Sequence, residues 1–243
     1  MPSGQSITIP FGTADPEKAL AVAEGGGRQN NVAVIDIDRN SGDHTPLRLH
    51  HGPYDFRATP GLGTASDTET RLTLIHDHLH ALCDLWQKAQ HSFVDAYFDF
   101  IASMLEREQK VLTERLAAYG GLYHYRDWAF SALRPLPRAH IRADDGAFIA
   151  VDFAFWTGSA LVTVDLTGFQ TPTKSRRAQL AALADSGATI IDVDSACLAK
   201  EGTAYIESLL PAPFHCFWEG EVLPQSPFKP DIVNADAPDG LRF

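Results

Sequence analysis

Cysteine is scarce: Cys83, Cys197 and Cys216 are the only three among 243 residues. An odd, scattered set of thiols argues against a disulfide framework and for a reducing, cytoplasmic setting. Long apolar runs are missing too. Nothing approaches the ~20 residues of a membrane-spanning helix, so no membrane association is expected. The first residues, Met1 to Ser6, lack the basic and apolar regions of a signal peptide. Positive charge is in deficit, with 20 Lys and Arg against 31 Asp and Glu and a formal net charge of −11. A protein that simply coats nucleic acid is basic, because phosphate neutralisation dominates its affinity. This chain is not of that kind, although a local basic patch remains open. Two catalytic signatures are also absent. Gly61-Leu62-Gly63 lacks the lysine and the strand–helix setting of a phosphate loop, and no Gly-x-Ser-x-Gly elbow occurs.

What is present is an ordinary globular composition, 44% apolar and 21% charged, on a chain long enough for a sizeable core. Three segments are expected. Residues 1–65 are largely irregular. They carry a short helix capped by Asp15 with Pro16 at its first position, a strand over Asn31–Asp38, and one further strand expected near Leu47–His50. Residues 66–119 read as a helical arm. Leu72, Ile75, Leu79, Leu82 and Trp86, then Phe93, Tyr97, Ile101, Leu105, Leu112 and Leu116, recur at three- and four-residue steps. This is one very long helix or a helical hairpin broken near Ala89–Ser92. Its stripe serves core packing, or a protein partner or homo-oligomer through 67–118. Residues 120–243 alternate strand and helix. Strands are expected near Ala139–Ala143 and over 147–156, 161–167 and 188–194. Helices are expected over roughly 173–186 and 195–209, followed by an irregular tail. The fold class is α/β (α+β), with a mixed sheet preceded by the helical segment.

The chemistry concentrates on the 147–167 hairpin. Side chains alternate along a strand, so Phe148, Ala150, Asp152, Ala154 and Trp156 share one face, and on the partner strand Thr163, Asp165 and Thr167 share one face, opposite Val162, Val164 and Leu166. With 157–160 as the turn, Asp152 lies opposite Asp165. Like charges directly paired across a sheet destabilise it. Something must compensate: a hard divalent cation, a proton on one carboxylate, or covering arginines. A one-residue slip would separate the two acids.

Glu114 in Leu112-Thr-Glu-Arg-Leu116, Val151-Asp-Phe153, Val164-Asp-Leu-Thr-Gly168, Ser175-Arg-Arg177 and Gly187-Ala-Thr-Ile-Ile191 follow in an order that resembles the PD-(D/E)xK nucleases. The branch resembled is that of very-short-patch-repair endonucleases, over about residues 112–198. The resemblance implies a restriction-endonuclease-like core and a metal-dependent hydrolysis of DNA. It implies Mg²⁺ or Mn²⁺ on Asp152 and Asp165, with Glu114 as a further ligand or water-orienting group. The lysine usual two residues after the second acid is Thr167 here. Lys174 or Gln170 would have to substitute. Arg138, Arg142, Arg176 and Arg177 are the expected phosphate contacts. An inactive scaffold using its helices for assembly is the rival, favoured by Thr167 and by the acidic charge.

Two weaker patterns complete the reading. Within a helix, His76 and His80 share a face with Cys83 one turn on, a spacing that can hold zinc, with His50 or His51 as a tertiary ligand. Polar histidines flanking an apolar stripe is the preferred account. Val34-Ile-Asp-Ile-Asp38 resembles the first motif of haloacid-dehalogenase phosphatases but lacks its continuation, and Asp192 and Asp194 read as a strand end with a helix cap.

Overall fold

The computed structural model describes residues 7–24, 33–37, 45–51, 67–143, 146–167 and 173–225. Its centre is a four-stranded mixed sheet of β3 (Leu136–Arg142), β4 (Phe148–Trp156), β5 (Leu161–Thr167) and β6 (Thr189–Asp194), in that spatial order. The first three strands form an antiparallel meander, and β6 lies parallel to β5. The parallel pair needs a crossover, which α5 (Lys174–Asp185) supplies. Thr173 caps that helix by accepting from the Arg176 N–H at 3.1 Å.

The turn between β4 and β5 explains its own sequence. The Thr157 N–H donates to the Ala160 carbonyl at 3.0 Å. The Thr157 hydroxyl accepts from the Ala160 N–H at 3.1 Å. Gly158 has φ +91°, a conformation that disfavours any side chain. This closure sets Phe153 opposite Val164 and Trp156 opposite Leu161.

Before the sheet come α2 (Thr68–Leu82), α3 (Lys88–Arg107) and α4 (Gln109–Leu116). The helical segment is thus broken at 83–87 rather than at Ala89–Ser92, and bends again at Glu108. The first break has a local cause. Asp84 Oδ1 accepts from the Trp86 N–H at 2.9 Å, a side-chain turn that competes with helix continuation. The apolar stripe is core. Phe93, Tyr97 and Phe100 are at most 1% exposed. The Phe93 ring lies 4.6 Å from that of Phe153, and Tyr97 lies 5.5 Å from Phe155. The helices therefore pack onto the sheet, the core-packing account of the stripe.

At the N-terminus, β1 (Ile7–Phe11) and β2 (Ala33–Ile37) form a separate antiparallel pair, with β1 beside β3. Only β2 is expected from the sequence. Helix α1 (Pro16–Glu24) lies between them, and Asp15 accepts from the Lys18 N–H at 3.0 Å as the expected cap. The strand expected at Leu47–His50 is instead a single bridge, Arg48 to Leu133, followed by a 3-10 turn at Leu49–His51. Its backbone joins others at isolated points: Leu47 N–H donates to Trp156 O, Leu49 N–H to Ala132 O, and the Leu47 carbonyl accepts from Arg134 N–H.

After β6, α6 (Ser195–Glu201) and α7 (Thr203–Leu209) replace the single helix expected over 195–209. Gly202, at φ +51° and ψ −122°, breaks it. Asp194 caps α6 by accepting from the N–H groups of Ala196 and Cys197 at 2.7 and 3.1 Å, as its position suggests. The tail is a strap anchored inward. Phe214, Phe217 and Trp218 are buried, and Glu221 pairs with the Arg48 Nε at 2.7 Å. One continuous apolar cluster runs from Ile9 to Trp218, drawing on all three sequence segments. No described helix is long and apolar enough to cross a membrane.

Candidate functional site

Asp152 and Asp165 occupy equivalent positions on adjacent strands, one step beyond the last recorded pair, Phe153 with Val164. The β4–β5 ladder ends there. Asp152 Oδ2 takes the Leu166 N–H at 2.7 Å, a donor that a continuing ladder would give to a β4 carbonyl. On the other side of β4 the pairing also lapses. It runs through Pro137–Phe153 and Ala139–Val151 but skips Arg138, whose φ is +49°. Such a conformation in a non-glycine residue costs about 1–2 kcal/mol. Asp152 thus sits where both neighbouring ladders are interrupted, the kind of locally strained position that accompanies function.

Protein donors converge on the two carboxylates. Gln90, in the first turn of α3, donates from Nε2 to Asp152 Oδ1 at 2.8 Å. Arg176 in α5 pairs its Nη2 with Asp165 Oδ1. Its Nη1 donates to the Ala150 carbonyl at 2.7 Å. One guanidinium therefore bridges the open end of the β4–β5 fork. Asp165 is buried, and Asp152 is half-buried. Burial raises the Asp152 pKa above the ordinary carboxylate value, and the charge of Asp165 adds to the rise. The bonds from Gln90 and Leu166 and the charge of Arg176 oppose it.

A magnesium or manganese ion wants several oxygen ligands at about 2.0–2.2 Å in near-octahedral array. The two carboxylates are the right donor type. Yet Arg176 already supplies the positive charge at Asp165, and two N–H donors occupy Asp152. As arranged, the pair does not fit a cation. Of the three compensations expected from the sequence, the covering arginine is seen at Asp165, and burial of Asp152 favours its protonated form as well.

The other expected site residues are dispersed. Glu114 is exposed in α4, and its side chain makes no hydrogen bond or ion pair with a described residue. Gln90 starts α3, whose remaining length to Arg107 is roughly 25 Å, and the eight residues of α4 cannot bring Glu114 back over it. The helix residue that reaches the acids is therefore Gln90, which the sequence reading missed. Its apolar-face position at the end of the 83–87 break is the only hint of that role. Lys174 and Arg177 are exposed on the first turn of α5. Arg142 is exposed, its guanidinium 4.8 Å from the Phe148 ring centre. Arg138 is half-buried and makes no hydrogen bond or ion pair with a described residue. Thr167 ends β5 opposite Asp194. Gln170 and Asp38 lie outside the described residues.

A second cluster lies between α2 and α3. His76 and His80 project from α2 toward Asp95 of α3, and each Nε2 is 2.9 Å from Asp95 Oδ1. The two Nε2 atoms are 3.1 Å apart. His80 Nδ1 lies 2.8 Å from His91 Nδ1, and His91 Nε2 lies 3.1 Å from the Asp84 carbonyl. Partial burial lowers the His80 pKa, with His76 adding to the drop. The residues proposed around this pair from sequence are elsewhere. The Cys83 thiol points to the Leu79 carbonyl at 3.4 Å, and burial pushes its pKa up to about 12. His50 contacts the Phe130 carbonyl, and His51 accepts from the Arg48 N–H. His78 is turned away beside Arg134, and burial brings its pKa down to about 4.

Comparison with protein-family models, with curated proteins and with solved structures finds no match to this chain.

Proposed function

We propose that the four-stranded core is a nuclease-like scaffold without hydrolytic activity, serving the binding or assembly of a protein partner. The observation that carries this reading is the Arg176 guanidinium on Asp165 and the Ala150 carbonyl. It takes the place a catalytic cation needs. Thr167 in the usual lysine position and the net charge of −11 support the same reading, because neither favours a bound phosphate. Leu85 and Trp86, 81% and 90% exposed on the 83–87 connection, offer the kind of apolar and aromatic contact that anchors protein partners.

A second reading is a Mg²⁺- or Mn²⁺-dependent DNA endonuclease with the restriction-endonuclease-like arrangement. It is favoured by the matched register of Asp152 and Asp165 within a helix–meander–helix–strand order. It requires Arg176 to leave Asp165 when metal and a phosphodiester arrive.

The two are separated by calorimetric titration with MnCl₂ and MgCl₂, together with cleavage assays on supercoiled plasmid and single-stranded DNA. The scaffold reading expects neither cleavage nor metal binding that depends on Asp165. Nicking by the wild type in Mn²⁺ that is abolished in Asp165→Ala overturns it in favour of the nuclease.

A further inference from the structure

The hairpin of α2 and α3 presents two matched helical pairs, His76 and His80 facing Asp95 and His91. Residues four apart share a helix face, and the five-residue connection makes the two helices antiparallel neighbours. The outcome is three potential ligand atoms, two imidazole Nε2 and one carboxylate Oδ1, at the corners of a triangle with edges of 2.9, 2.9 and 3.1 Å. A cation with bonds of about 2.1 Å in octahedral geometry has ligand–ligand edges near ~3.0 Å, and a tetrahedral one near ~3.4 Å. The triangle is already the size of one face of such a site.

The hydrogen bonds behind the triangle point the same way. The Asp84 carbonyl can only accept, so His91 Nε2 must donate to it. If His91 is neutral, its Nδ1 then accepts, and His80 Nδ1 must be the donor across the 2.8 Å contact. That leaves the Nε2 lone pair of His80 facing a carboxylate oxygen at 2.9 Å. Two acceptors at that distance need a proton or a metal ion between them, and the metal is the one that also serves the His76 nitrogen 3.1 Å away. On His76, Nδ1 faces the Asp77 carboxylate at 3.5 Å, which favours the same tautomer there and turns its Nε2 inward as well. Imidazoles that donate from the outer nitrogen to a fixed acceptor, with the inner nitrogen free, are the ordinary outer support of a metal centre.

We propose that His76, His80 and Asp95 bind one divalent first-row transition-metal ion, with His91 as the positioning residue for His80. Two nitrogens and one oxygen select such an ion over magnesium or calcium, which prefer all-oxygen sites. Three protein ligands leave coordination positions open. A groove of about 820 Å³ between α2 and α3, lined by both His76 and Asp95 and floored by Leu72, Phe98 and Ile101, adjoins the site. Water or a small ligand on the ion has room there. The Asp95 side chain is 57% exposed and the two histidines about a quarter exposed, so the ion has access from solvent. This site shares no ligand with the acid pair on the sheet and does not rest on the reading given for that pair.

The test uses the full-length chain without an affinity tag, stripped with chelator. It is titrated with Zn²⁺ by calorimetry and with Co²⁺ by visible absorption, with Mg²⁺ as a control. One ion per chain is expected, with a Co²⁺ ligand-field band and no Mg²⁺ heat. Asp95→Asn and His76→Ala each abolish the band, His91→Ala weakens binding by about 10–100-fold as an outer-support loss, and Asp152→Asn leaves it unchanged. Circular dichroism checks that each variant is folded. If His80→Ala does not fold, the more exposed Asp95→Asn carries the test. Absence of one-to-one Zn²⁺ binding, or binding that survives Asp95→Asn and His76→Ala in folded protein, overturns the proposal. So does binding that is lost in Asp152→Asn instead.

Discussion

Gln90 holds Asp152 from one side of its amide and is itself held from the other. Its Nε2 donates to Asp152 Oδ1 at 2.8 Å, and its Oε1 accepts the Asp84 N–H at 2.8 Å. The Asp84 carbonyl in turn faces His91. A single short connection, 83–87, therefore touches both the acid pair on the sheet and the histidine cluster between the helices. Gln90→Leu removes a donor and an acceptor from a nearly fully buried position. It should cost about 1–3 kcal/mol, the usual penalty for leaving buried polar groups unsatisfied, as read from urea unfolding. The Asp152 pKa should rise further, because the lost bond favours its charged form. A carboxyl titration followed by NMR that shows no upward movement would contradict the assignment.

Arg176→Ala leaves the buried Asp165 carboxylate facing Asp152 without the one cation that pairs with it among the described residues. Breaking a buried pair by removing one partner costs roughly 3–5 kcal/mol. Arg176 keeps about a quarter of its side-chain exposure, so the lower end of that range is expected. The double variant Arg176→Met, Asp165→Leu removes both charges and should be more stable than Arg176→Ala. Chemical denaturation of the three proteins decides it. Equal stability of wild type and Arg176→Ala would mean that the bridge across the β4–β5 fork is not made.

The pH dependence of stability carries a sign set by Asp152. Its folded pKa is raised, chiefly by burial, above an unfolded value near ~3.9. The native state then holds the proton more tightly than the unfolded chain. That contribution is full below about pH 3.9 and is lost as pH rises through the raised folded value. Asp152→Asn cannot titrate. The stability difference between wild type and Asp152→Asn should therefore move against the wild type as pH climbs from about 4 toward neutrality. Unfolding midpoints at half-unit steps in pH measure it, and an opposite slope refutes the burial argument.

The three thiols should divide by exposure. Cys83 is buried, with its pKa pushed up to about 12 by burial, whereas Cys216 is exposed and Cys197 intermediate. A thiolate is the reacting species. At pH 8 a chromogenic disulfide reagent should modify Cys216 and Cys197 in the folded protein and reach Cys83 only after denaturant is added. Labelling of Cys83 in folded protein at the rate of Cys216 would show that the α2–α3 connection opens readily.

Much of the local structure was legible in the residues. The alternation in 147–167, the Thr157-Gly158 turn, the Asp15 and Asp194 caps and the stop at Gly187 each rest on contacts within a few positions, and each is present in the fold. The four-stranded mixed sheet follows from their order. The strand β1 was hidden because its five residues, Ile7 to Phe11, are short and end next to Gly12, and their pairing with β2 spans more than twenty residues. The break in the helical segment was misplaced because apolar periodicity continues through it, while the turn depends on the Asp84 side chain.

By itself the sequence placed the two aspartates on one face of a hairpin on condition that 157–160 form the turn, and the fold supplied the register that meets that condition. The sequence also determined that His76 and His80 share one helix face. What surrounds each pair was decided only in three dimensions. Arg176 arrives at Asp165 from a helix eleven residues on, and Gln90 arrives at Asp152 from one sixty-two residues back. Asp95 meets the two histidines only because the helices fold into a hairpin. Charge compensation and ligand sets are long-range properties. They depend on which side chains the packed core brings within about 3 Å, and no spacing along the chain encodes that distance.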